Sequence, residues 1–92
     1  MSFDFDLSDE IKLIIKKLNK KDKLRVIILR KKIGEIINNT PETIDRYKNL
    51  KYGLSGYKRV HIDKSFVLIF SVDKKKNHII FDRLKHHDEI YK

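Results

Sequence analysis

The 92-residue chain has no cysteine and no tryptophan, one proline, one methionine and three glycines. Without cysteine there is neither disulfide nor thiolate ligand to reinforce a small fold, so it must rest on one apolar core or borrow surface from a partner. Gly34, Gly53 and Gly56 are too few and too scattered for a loop that cradles nucleotide phosphates, and no Gly-x-Ser-x-Gly elbow exists. His-x-x-x-His is also missing, and adjacent His86 and His87 on a strand would point to opposite faces, so no metal and no cofactor is expected. Long hydrophobic runs are absent: Lys interrupts them, as in Ile11-Lys12-Leu13-Ile14-Ile15-Lys16. The start, Met1-Ser2-Phe3-Asp4-Phe5-Asp6, has no basic and apolar leader region. Neither a signal peptide nor a membrane segment is expected, and the cytosol is the natural compartment.

What is present is charge. Lys and Arg number 22 against 13 Asp and Glu, a formal net charge of +9. The first ten residues hold four acids and no Lys or Arg, so the remainder is more basic than the total implies. Such a surface attracts nucleic-acid backbone or an acidic protein partner, although any single Lys on it can be plain solvated surface. Ninety-two residues with 40% hydrophobic content suit a single domain spanning 1–92 with one modest core.

The hydrophobic pattern divides the chain. Phe3 and Phe5 alternate with Asp4 and Asp6, a short first strand. Asp6 or Ser8 then caps a helix whose apolar stripe is Leu7, Ile11, Ile14, Ile15 and Leu18. Asn19-Lys20-Lys21 reads as a three-residue break. A second helix from about Asp22 carries Val26, Leu29, Ile33, Ile36 and Ile37 on one face with Leu24, Ile27 and Ile28 beside them, a stripe broad enough to be buried from two sides. It stops at Asn38-Asn39-Thr40-Pro41, where Thr40 and Pro41 open a short turn running to about Tyr47. After a Gly-containing loop, Tyr57–Ile62 alternates, with Val60 and Ile62 inward and Tyr57, Arg59 and His61 outward. Phe66–Val72 is apolar on both faces, a central strand. Asp73–Asn77 is a charged hairpin loop with a solvated Lys tip, and His78–Leu84 is the last strand. The order β-α-α-β-β-β predicts an α+β fold, an antiparallel-rich sheet with a helical hairpin on one face.

Chemistry concentrates from Gly56 to Tyr91. Arg59 and His61, two apart on a strand, share a face about 7 Å apart. Arg83, Lys85 and His87 repeat the same spacing, so if their strand lies beside the first or one strand away, two basic rows share that face. Arg offers a fixed fork to phosphate, Lys a mobile charge, and His a proton exchangeable near neutral pH. Such a set suits metal-free RNA cleavage, with a base on the 2′-hydroxyl, cations on the crowded phosphorane and an acid on the leaving 5′-oxygen. Lys58 and Lys51 are further phosphate-binding candidates. The competing reading makes His86 and His87 ordinary surface histidines and Tyr91 an apolar anchor for the terminus.

The segments Leu54-Ser55-Gly56-Tyr57-Lys58-Arg59-Val60-His61-Ile62, Phe66–Asp73 and His87-Asp88-Glu89-Ile90-Tyr91, in this order, resemble the RelE/ParE toxin superfamily. The wording from Gly56 onward is most similar to its YafQ-type branch, while the helices match only in pattern. The resemblance implies the RelE-like fold and a type II toxin that enters the ribosome and cuts mRNA, inhibiting translation. It also implies a cognate acidic, RelB-like antitoxin that silences the toxin in a hetero-oligomer. It implies catalytic roles at His61, Lys85, His87 and Tyr91 and phosphate binding at Arg59; Arg83, from its place in the basic row, is assigned to phosphate beside it. The chain departs from its relatives at Val67, where RelE-like members carry Arg, and at Ser65, where YafQ-like members carry Asp. The general base is therefore left open, with His61 and His87 the preferred proton carriers. Two other functions remain: a ParE-like, non-catalytic toxin that binds DNA gyrase, and an inactive scaffold that only binds its antitoxin.

Overall fold

A computed structural model describes residues 3–50 and 56–86. The chain runs through strand β1 (Asp4–Leu7), helix α1 (Asp9–Lys21), helix α2 (Lys23–Ile37), a 3₁₀ turn (Ile44–Arg46), and strands β2 (Lys48–Asn49), β3 (Tyr57–His61), β4 (Phe66–Asp73) and β5 (His78–His86). The five strands form one sheet in the order β1-β5-β4-β3-β2. Among the described residues β1 runs parallel to its neighbour, β5, and the other strand pairs are antiparallel. This is the α+β architecture expected, with one addition. The two-residue β2 escaped the sequence reading because a pair as polar as Lys48-Asn49 carries no periodic signal.

Ser8 starts α1: its Oγ accepts from the Ile11 N–H at 3.1 Å and donates to the Asp82 carbonyl at 2.6 Å, tying the helix start to β5. Asp9 and Glu10 occupy the first turn and Lys20 and Lys21 the last, each sign placed where the helix dipole favours it. The expected three-residue break at Asn19-Lys20-Lys21 does not occur. Asp22 alone forms the link, its N–H closing α1 on the Leu18 carbonyl at 2.7 Å and its Oδ1 accepting from the Arg25 N–H at 3.1 Å to open α2. A single capping residue serves both ends, so the Lys pair stays helical.

Helix α2 buries Val26, Leu29, Ile33 and Ile36. The second apolar row is not covered as expected: Leu24 and Ile27 are 68% and 63% exposed. The sheet lies against one side of α2 only, and the described fold places nothing over the other. At its end, buried Asn39 donates through Nδ2 to the carbonyls of Glu35 and Ile36 and to the Tyr47 hydroxyl, at 3.0, 3.0 and 3.2 Å. The core lies between helices and sheet, with Phe70 and Phe81 fully buried and 5.7 Å apart, and Tyr47 edge-on to Phe70.

The register of β5 shifts once. Ile69 pairs with Arg83 but Phe70 with Phe81, leaving Asp82 as a bulge. The extra residue lets Ile79 and Phe81, then Leu84, all reach the core despite their odd spacing, and it sets the phase of Arg83 and Lys85. The last strand also runs two residues past the expected Leu84, so Lys85 and His86 are strand residues. Among the described residues no helix is long and apolar enough to cross a membrane.

Candidate functional site on the sheet face opposite the helices

The helices cover the sheet face that carries Leu68, Phe70, Ile79, Phe81 and Leu84. The opposite face carries the candidates. On β3 and β4, Arg59 pairs with Ile69 and His61 with Val67; on β4 and β5, Ile69 pairs with Arg83 and Val67 with Lys85. Directly paired residues share a face, so Arg59, His61, Arg83 and Lys85 project to one side, at the corners of a rectangle about 7 by 10 Å in the backbone. Val67 and Ile69, both buried, form its apolar midline on the central strand. The two basic rows thus stand one strand apart, with β4 between them.

The corners differ in their surroundings. His61 is exposed, and Arg59 is partly buried. Arg83 is largely exposed, with its Nε 3.1 Å from the bulge carboxylate Asp82. Lys85 is partly buried, its Nζ 3.8 Å from Glu10 on the first turn of α1. An array of two guanidinium groups, an ammonium and an imidazole can bind a phosphodiester and move a proton beside it. Among the described residues no group of three or more His, Cys, Asp or Glu is placed to hold a metal ion.

Lys58 is corrected by its register. It stands opposite Phe70, on the helix side of the sheet, and is only 8% exposed. Its Nζ donates to the Tyr47 carbonyl at 3.2 Å and to Asn49 Oδ1 at 3.1 Å and lies 3.3 Å from Asp45. That side chain fastens the 3₁₀ turn and β2 to the sheet and is turned away from the face that carries Arg59. Lys74, expected at a solvated tip, joins the same cluster with its Nζ 2.6 Å from Asp45. Those two ammonium contacts, Lys74 first and Lys58 second, hold the exposed Asp45 carboxyl below its usual range. Lys51, His87 and Tyr91 lie outside the described residues.

The carboxylate nearest to His61 in sequence is Asp63, and it is fully engaged. Its Oδ1 accepts from the N–H groups of Ser65 and Phe66 at 2.8 and 3.1 Å, and its Oδ2 from Arg25 Nε at 3.1 Å. Partial burial pushes its pKa up, but the Ser65 N–H, the Arg25 guanidinium and the Phe66 N–H together outweigh that and hold it below the usual range. A carboxylate so stabilised is a poor base. The sequence marks Asp63-Lys64-Ser65 as the turn between the two strands, and the structure places the turn there, whereas nothing local pointed to Arg25 as the partner of Asp63.

The chain is 42% identical over 90 residues to a protein of Methanocaldococcus jannaschii named "Putative toxin RelE4", covering 98% of this chain and 92% of that one. It is similar in structure to YoeB in the YoeB–YefM complex from Staphylococcus aureus, at 25% identity and a TM-score of 0.72, over 95% of this chain and 99% of that one. YafQ from Escherichia coli shares the fold, with a TM-score of 0.70 at 21% identity over 98% of this chain and 99% of that one. No protein-family model matches the chain.

Proposed function

The chain belongs to the RelE/ParE superfamily of toxins, and from that premise we propose that it is a ribosome-dependent mRNA endonuclease, neutralised by a cognate acidic antitoxin. The observation that carries this reading is the sheet face shared by Arg59, His61, Arg83 and Lys85. A ParE-like protein that acts by binding alone has no need of an imidazole between cations on a strand face, which favours cleavage over the gyrase-binding alternative.

In the proposed reaction the phosphodiester lies over the apolar midline of β4, with Arg59, Arg83 and Lys85 on its oxygens. A base removes the 2′-hydroxyl proton, the 2′-oxygen attacks phosphorus, and the P–O5′ bond breaks. The products are a 2′,3′-cyclic phosphate and a 5′-hydroxyl that has received its proton from an acid. His61 and His87 are assigned the two proton transfers, and Tyr91 the stacking of a base or the orientation of the nucleophile. With Asp63 committed to Arg25 and the turn, histidine is the better base. Cations pre-placed on the phosphorane contribute through electrostatic stabilisation rather than through metal chemistry.

The partner reading rests on the +9 charge and on structural similarity to the toxin of the YoeB–YefM toxin–antitoxin complex. An acidic, partly helical segment that folds on binding would complement this surface. The test is primer-extension mapping of mRNA cleavage on translating ribosomes by wild type, His87→Ala and Lys85→Ala. Cleavage by wild type with loss in both variants supports the assignment; equal cleavage by all three removes these residues from the mechanism. Inhibition of gyrase supercoiling without any mRNA cleavage would establish the ParE-like alternative instead.

A further inference from the structure

One end of the candidate face is held by a turn, and that turn is held by a helix. Asp63 closes the link from β3 to β4 by accepting the Ser65 and Phe66 N–H groups with one oxygen, and it takes Arg25 Nε with the other. Arg25 sits on the first turn of α2, and its Nη1 lies 3.0 Å from Asp22 Oδ2, the residue that joins the two helices. The same guanidinium lies over the Phe66 ring at 4.4 Å from its centroid. Phe66 in turn meets His86 edge-on at 5.5 Å, and the two residues are paired in register.

We infer that Arg25 is a positioning residue, fixing through Asp63 and Phe66 the end of the sheet that presents His61 and Lys85. His61 precedes Asp63 by two residues, and Lys85 is next to His86. Movement of the turn therefore moves one corner of the site, and movement of Phe66 moves another. Arg suits the place because a planar guanidinium can bind two carboxylates at its edge and lie over a ring with its face, whereas an ammonium can do only part of this. The Arg25 and Asp63 side chains are 27% and 26% exposed, so solvent screens the contact only in part. The consequence for catalysis rests on the endonuclease reading; the clamp itself does not.

The experiment compares wild type, Arg25→Ala, Arg25→Lys and Asp63→Asn by two readouts. The first is the NMR signals of the His61 and His86 rings and of the amides from 61 to 67. The second is mRNA cleavage on programmed ribosomes, normalised to folded protein. Arg25→Ala and Asp63→Asn are expected to shift the His61 amide and ring signals, and Arg25→Ala also those of His86. The kcat of Arg25→Ala should fall about tenfold, as for a small misplacement of a catalytic group, with KM changed less than about twofold. Arg25→Lys, which keeps the ion pair but not the planar contact, should recover the amides of the turn while leaving His86 shifted. Should Arg25→Ala not fold, Arg25→Lys and Asp63→Asn decide the matter by the same signals. Unmoved His61 and His86 signals in the folded variants would overturn the clamp. A wild type that cleaves nothing would overturn the endonuclease reading while the NMR signals still decide the clamp.

Discussion

His61 and Lys85 face the same residue, Val67, from the two sides of the central strand. Their backbones are about 10 Å apart, a span that a phosphodiester with its flanking sugars can bridge, and the buried valine between them keeps the midline apolar. This pair gives the candidate face its sharpest test. His61→Ala should lower the cleavage rate by about 100-fold or more, the scale for a lost proton carrier. Since His61 is exposed, Tm should change little. A variant that cleaves normally would remove His61 from proton transfer.

Lys58 and Arg59 are neighbours with opposite assignments. Lys58→Ala leaves Asp45 and Asn49 without a buried ammonium and should lower unfolding free energy by about 1–3 kcal/mol in urea titrations. Arg59→Ala should act on mRNA cleavage, chiefly through KM. If the two variants exchange these effects, the register deduced for β3 is wrong.

Acid should release Asp63. Its folded pKa lies below the unfolded value, so its contribution to stability is complete above the unfolded pKa and is lost as pH falls through the folded one. With ordinary carboxyl values near about 4, wild type should lose this contribution below that pH. Asp63→Asn should be the less stable protein at neutral pH, and the gap should close toward about pH 2. A gap that stays constant across urea melts at all pH values would show that ionisation of Asp63 contributes nothing.

The two apolar rows of α2 should respond differently. Leu29→Ala, at a fully buried site, should destabilise by about 2–5 kcal/mol. Leu24→Ser and Ile27→Ser, on the exposed row, should each change stability by about 0.5 kcal/mol or less. Comparable losses at Leu24 and Leu29 would mean that the outer row is covered in solution.

Much of this was legible in the sequence because local patterns report local geometry. Period-two alternation in Tyr57–Ile62 placed Val60 inward and Arg59 and His61 outward. The continuous apolar run Phe66–Val72 identified the central strand, and Ser8 stood where a helix needs a cap. Period 3.6 found both helices, yet it did not tell which of the two apolar rows of α2 would be covered. Hydrophobic periodicity states what a helix can bury, whereas the neighbours decide what it does bury.

The sequence by itself determined the element types, the excess of positive charge and the presence of Arg, Lys and His at spacing two on strands. Only the tertiary structure decided that β4 separates the two basic rows and that the Asp82 bulge sets the phase of Arg83 and Lys85. It also joined Arg25 to Asp63 across 38 residues of chain. Those outcomes depend on pairing between segments remote in sequence, and a one-residue change of register moves every side chain on a strand to the other face.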